Sequence, residues 1–185
     1  MIILTHERDG VSSDAEYSEC LHYRYSLTRV WNPDAPRALF VMLNPSTATE
    51  IANDPTVERC ERRARRLGFG AFRVCNIFAW RSTDPRALAR QTDPVGPGND
   101  AAIAAGCDWA CRTPEDRAVC AWGNHGNLLD RGPEVERLMR TRPVQLCHLG
   151  LTAAGHPRHP LYVGYARPLT SWPAGSQAQA GPFGE

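Results

Sequence analysis

Apolar positions fall into two patterns along the chain. From Leu21 to Leu27 apolar and polar side chains alternate, Leu-His-Tyr-Arg-Tyr-Ser-Leu, the period of a strand with one buried face. This predicts an antiparallel lead-in within the first thirty residues. After the turn-like Asn32-Pro33-Asp34, residues 38–43 are apolar without interruption, as suits a strand covered on both faces. Further strands are predicted over 72–78, 117–122 and 143–149.

Helix signals separate these runs. Asp54 supplies an N-cap and Pro55 the first helical position, Val57, Cys60, Ala64 and Leu67 recur at helical spacing, and Gly68 ends the helix. Asn99-Asp100 can cap a short alanine-rich helix ending at Gly106, and a third helix covers 133–140. Strands alternating with helices imply a parallel sheet with helices on both faces. The predicted architecture is a three-layer α/β/α domain over residues 1–173. It has a central, mainly parallel four-stranded sheet and an N-terminal antiparallel strand or hairpin. Residues 174–185, small and turn-rich, are predicted to be a disordered tail.

Composition narrows the function classes. The 185 residues, 42% hydrophobic, fit one domain with a real core. All 21 basic residues are arginine; 20 acids leave a formal charge of +1, so a nucleic-acid surface would have to be local. The absence of lysine reads as coding bias. Arg62, Arg63, Arg65 and Arg66 read as a solvated helix face, with phosphate contact as the alternative.

Seven cysteines without paired spacing read as buried thiols in a reducing compartment. Cys107 and Cys111 form a close pair, but spacing supplies no further ligands, so neither metal nor cofactor is expected. No apolar run reaches membrane-spanning length, and the N-terminal segment lacks a basic start and a long apolar stretch. The expectation is a cytoplasmic monomer without a membrane partner.

In open α/β sheets ligands bind beyond the carboxyl ends of the strands. The first long strand ends there in Asn44-Pro45-Ser46-Thr47. The second ends in Asn76, with Phe78, Trp80 and Arg81 close behind, and the third in Trp122-Gly123-Asn124-His125. The fourth leads through Gly150 to His156-Pro157-Arg158-His159-Pro160-Leu161-Tyr162. Each piece alone is ordinary turn chemistry; their convergence on one rim marks a site. No Gly-rich phosphate loop and no Gly-x-Ser-x-Gly elbow occurs.

The strings MLNPSTA, DPT-x-x-RC, NIFAWRST, GPGND, AWGNHG and PRHPLY together closely resemble the family known as domain of unknown function 1643, over residues 23–172. More distantly, the order of elements resembles the uracil-DNA glycosylase superfamily. That resemblance implies a monofunctional DNA glycosylase, which hydrolyses the N-glycosidic bond of a damaged, deaminated or modified base flipped from DNA. In such an enzyme Asn44 would align the water and His159 would stabilise the leaving base. Asn76, Ser46, Asn124 and His125 would hold the base edge, with Phe78 or Trp80 stacking on its face. Pro45, Arg81, Arg131, Arg158, Pro160, Leu161 and Tyr162 would contact DNA, with Leu161 or Tyr162 filling the vacated stack.

The chain departs from that superfamily in two places: Met42-Leu43 stands where its loop usually begins with glycine, and Leu161 where serine usually follows His-Pro. With no lysine, a lysine Schiff-base lyase step is excluded. Two further readings stay open. One is a non-catalytic module that binds a modified base or nucleotide; the other is a hydrolase of free nucleosides or nucleotides.

Overall fold

The computed structural model describes residues 1–173, so the expected tail at 174–185 lies outside the described residues. The chain folds as one eight-stranded mixed sheet with helices on both faces. It opens with a hairpin, β1 (Ile2–Arg8) and β2 (Val11–Tyr17), closed by Asp9 and Gly10 at φ 53° and 74°. Positive φ at both turn residues matches the right-handed twist of the flanking strands, which is why Asp-Gly closes two-residue hairpins. β3 (Arg24–Val30) continues antiparallel from β2.

β4 (Arg37–Met42) leads into α1 (Pro55–Arg66), and α1 into β5 (Ala71–Asn76). α2 (Asn99–Trp109), β6 (Arg117–Cys120), α3 (Arg131–Arg140), β7 (Leu146–His148) and the short β8 (Thr170–Ser171) complete the order. In space the strands run β1-β2-β3-β5-β4-β6-β7-β8. The pairings β5/β4, β4/β6 and β6/β7 are parallel, and those towards both edges are antiparallel. In place of a separate four-stranded parallel sheet there is thus a longer mixed one. Three antiparallel strands extend it on one side and β8 on the other.

α1 forms where expected: the Asp54 carboxylate accepts from the N–H groups of Thr56 and Val57, satisfying donors that the first turn leaves open. α2 differs from expectation. It runs past Gly106 to Trp109, because Gly106 sits against Cys75 and Leu39, where a Cβ would approach both to 3.1 Å. Its glycine is a packing contact, not a stop.

The unbroken apolar run of β4 feeds both faces. Ala38, Phe40 and Met42 pack with Val57, Cys60 and Ala64 of α1. Leu39, Val41 and Leu43 pack with Ile103 and Cys107 of α2 and Val135 and Met139 of α3. The helix after β4 therefore covers one face and the helix after β6 the other, so the adjacent ends of β4 and β6 form a topological switch point, where loops diverge and leave a crevice. No helix among the described residues is long and apolar enough to cross a membrane.

Candidate functional site

A cleft of about 660 Å³ opens at that switch point. The loop after β4 gives it Leu43, Asn44, Ser46 and Thr47, and the start of α1 gives Asp54, Pro55 and Thr56. Ser82, Thr83 and Pro85 enter from beyond β5, Trp122 to His125 from β6, and Thr152, Arg158, His159, Leu161 and Tyr162 from beyond β7.

Backbone contacts fix the polar groups before any ligand arrives. Asn44 Nδ2 donates to the carbonyls of Pro45 and Ser82, at 3.0 and 2.8 Å, tying the β4 loop to the β5 loop. Both amide hydrogens are thereby spent, so the side chain offers an acceptor, Oδ1, and no donor. Asp54 uses Oδ1 on the two α1 amides, and its Oδ2 takes a longer bond, 3.3 Å, from the Ala48 N–H.

His159 lies in a short 3₁₀ turn, Pro160–Tyr162, as that turn's capping residue. Its Nδ1 accepts the Leu161 N–H at 3.4 Å, so the neutral ring carries its proton on Nε2. Burial pushes the imidazole pKa down to about 4, against a weaker pull upward from Asp54. At neutral pH His159 is thus an uncharged donor. Gly123, at φ 70°, brings the β6 loop to within ordinary contact of it: a Cβ there would lie 3.6 Å from the His159 Cβ. Thr152 Oγ1 donates to Asn124 Oδ1 at 2.7 Å, joining the β6 and β7 loops.

Of the residues singled out in the sequence, Asn44, Ser46, Asn124, His125, Arg158, His159, Leu161 and Tyr162 line this one cleft. Tyr162 is 81% exposed at its mouth, whereas Leu161 is half-buried. The other expected residues lie elsewhere. Asn76 is 2% exposed and outside the lining, with Nδ2 unpartnered among the described residues. Phe78 is core, packed with Leu88 and Ile103. Trp80 packs tilted against His22 and edge-on to Tyr23, with ring centres 5.2 and 5.3 Å apart.

Arg81 donates to the Leu21 carbonyl and lies over the Tyr17 ring. Arg131 is buried, bonded to the Ile77 carbonyl and paired with Asp100 and Glu134, and so is withdrawn from any phosphate. Pro45 and Pro160 are buried, and their carbonyls serve as anchors. Asp54 was legible only as a helix cap; the Asp-Pro that starts α1 sits at a strand-end loop, and that position was the signal. The hydroxyls of Ser82, Thr83 and Thr152 carried none.

The arginine face of α1 is neither free nor simply solvated. Arg59 donates to the carbonyls of Pro160 and Val163, and Arg63 to those of Val163, Gly164 and Arg167, clamping the loop that carries His159. Arg62 and Arg65 pair with Glu58 and Glu61 one turn back. Among the described residues no group of three or more His, Cys, Asp or Glu side chains is placed to hold a metal ion.

Residues 24–161 match a family model described as "Protein of unknown function (DUF1643)". No curated protein and no solved structure matches the chain.

Proposed function

Since the chain belongs to the DUF1643 family, whose description names no activity, we propose from the cleft itself that it hydrolyses the N-glycosidic bond of a damaged or modified nucleotide in DNA. The observation that carries this reading is the meeting of Asn44 Oδ1, the Asp54 carboxylate and a neutral His159 in one cleft. Hydrolysis needs an oriented water on one side of the sugar and a donor for the departing base on the other.

In this mechanism Asn44 and Asp54 hold the water as it attacks C1′. The C1′–N bond breaks, the C1′–O bond forms, and the water's proton passes to Asp54, because an asparagine cannot take it. His159 Nε2–H donates to the base as negative charge develops there. A neutral histidine suits that step: it stabilises the anion without first being deprotonated. Tyr162, exposed at the mouth, fills the stack that the extruded base vacates. The parallel block β5-β4-β6-β7 with helices on both faces supports the likeness to the uracil-DNA glycosylase superfamily. So does the placing of Asn44 and His159 at its strand ends.

The test is alkali-induced cleavage of labelled oligonucleotides carrying uracil, thymine mismatches, hypoxanthine, xanthine or hydroxymethylated pyrimidines, in single and double strands. Cleavage by the wild type that is lost in Asn44→Ala is the expected result. No cleavage of any of them, with base-selective binding retained, would replace the enzyme with a binding module. One observation favours a second reading: Arg158 is the single arginine lining the cleft, beside many hydroxyls, a lining that suits a free nucleoside. Release of base from nucleosides but not from oligonucleotides would decide for it.

A further inference from the structure

The charge of this nearly neutral chain is unevenly spread. Between Glu136 and Glu185 the sequence has no acidic residue, while Arg158 and Arg167 lie in that stretch. The loop holding them packs on α1, whose Arg59, Arg63 and Arg66 recur at helical spacing on one face. Their guanidinium carbons stand 4.9, 5.6 and 5.8 Å from the centre of the Tyr165 ring. Arg66, Arg158 and Arg167 are exposed, and Arg59 is half-buried.

Among the described residues none of these five arginines pairs with a carboxylate, whereas Arg62 and Arg65 on the adjoining face do. Arg63 is buried and spends its donors on carbonyls, so it builds the surface without presenting charge. What remains is a flank with three exposed cations, Arg66, Arg158 and Arg167, and the half-buried Arg59, whose Nε and Nη2 donate to the Pro160 and Val163 carbonyls. It is continuous with the cleft because Arg59 holds the Pro160 carbonyl and Tyr162 and Arg158 stand at the mouth.

We propose that this flank is the track for the phosphodiester backbone of the nucleic-acid strand whose base enters the cleft. Uncompensated arginines on two elements, beside a cleft with an exposed aromatic at its mouth, match a repeating anion with stacking bases. Arg158 is then the one arginine in the cleft's lining, beside the Asp54 carboxylate, because the other phosphates are received outside it. The inference rests on the proposed action on DNA, and it places the partner on one side of the molecule.

The experiment is fluorescence anisotropy of the full chain with a labelled 20-nucleotide single strand and its duplex, from 50 to 200 mM salt, with polyglutamate as a non-nucleic polyanion. Three or four phosphate contacts predict a slope of log affinity on log salt of roughly −2 to −3 for the single strand. R66E/R167E should weaken binding at least tenfold and flatten that slope. R8E/R112E, reversing two arginines at other edges of the fold, should leave both unchanged, with melting curves showing that each pair is folded.

Equal losses in the two double variants, or polyglutamate binding as tightly as the oligonucleotide, would overturn the track. The parent reading fails separately: binding through Arg66 and Arg167 without base release leaves the track standing and removes the hydrolase. Base release from nucleosides or oligonucleotides that is indifferent to R66E/R167E does the opposite.

Discussion

Asn44 and Asn76 invite comparison, since each follows an apolar run on adjacent parallel strands and each is the kind of residue that reads a base. Their fates differ by depth. Asn76 is the last residue of β5 and pairs with Met42, still inside the hydrogen-bonded sheet. Asn44 lies two residues beyond Met42, roughly 7 Å further along the strand direction, where the ladder has ended and the cleft begins. Around Asn76 the chain builds a closed polar set instead: Asn99 Nδ2 holds the carbonyls of Asn76 and Ile77, and Arg131 Nε holds Ile77 again. The open set (Asn44, Asp54, His159) faces the cleft; the closed set is shut inside the protein, where Asn99 Nδ2 and Arg131 Nε hold backbone carbonyls and Asn76 Nδ2 and Asn99 Oδ1 have no partner among the described residues.

The largest effect should come from the closed set, and on stability alone. Arg131→Ala removes a fully buried side chain and leaves a cavity, while Asp100 and Glu134, both more than half exposed, simply regain water. Loss of packing and of a buried hydrogen bond predicts about 3 kcal/mol of destabilisation, or roughly 10 °C in Tm for a chain of this length. Calorimetry checks the size. Turnover below the new melting transition should be unchanged; its loss would move Arg131 into the site.

The open set should show the reverse. Asn44→Ala and Asp54→Asn each predict about a hundredfold fall in turnover, roughly 2.7 kcal/mol of transition-state stabilisation. Stability should fall by only about 1 kcal/mol, because asparagine still caps α1 and the carbonyls freed by Asn44→Ala border the cleft. Asn76→Ala should stay within a few-fold of wild type in the same assay. A hundredfold loss in Asn76→Ala would erase the distinction of depth.

This contrast also shows what was legible in the sequence. Apolar runs with caps located β4, α1, β5, β6 and α3 to within a few residues, because a strand buried on both faces and a capped amphipathic helix are local patterns. The β1-β2 hairpin was expected only as an N-terminal antiparallel strand or hairpin without bounds, because neither of its strands alternates cleanly, although Asp9-Gly10 is a strong hairpin signal. At the site, the strand-end loops were legible as a group, but depth was not. Whether Asn76 or Phe78 reaches the cleft depends on where pairing with β4 stops, and that register is set across residues far apart in sequence. Asp54 was hidden for another reason, since one carboxylate both caps a helix and faces a cleft.

A pH titration sharpens the comparison with a smaller effect. In the unfolded chain a histidine protonates near its ordinary 6.5, and in the folded chain His159 does so only near 4. Between these values the unfolded state binds more protons, so the stabilising contribution is complete above about pH 6.5 and is lost as pH falls towards 4, by about 3 kcal/mol. His159→Gln should remove that part of the slope in urea titrations from pH 7 to pH 4. In the proposed mechanism, which uses the neutral ring as donor, turnover should show no acid limb at pH 6.5. An acid limb centred there would mean that the ring takes a proton in the working range, against the burial that its position imposes.

The smallest effect separates the two residues at the mouth. Tyr162, 81% exposed, contributes almost nothing to folding, so Tyr162→Ala should change stability by less than about 0.5 kcal/mol. Leu161, half-buried in the cleft wall, should cost about 1 kcal/mol when shortened to alanine. If Tyr162 occupies the space left by an extruded base, its loss should slow cleavage of duplex substrate roughly tenfold, the worth of one stacking contact. It should scarcely affect a single strand, in which no paired stack has to be refilled. Equal losses on both substrates would make Tyr162 part of the proposed strand-binding flank with Arg158, and would leave the filling of the stack to Leu161.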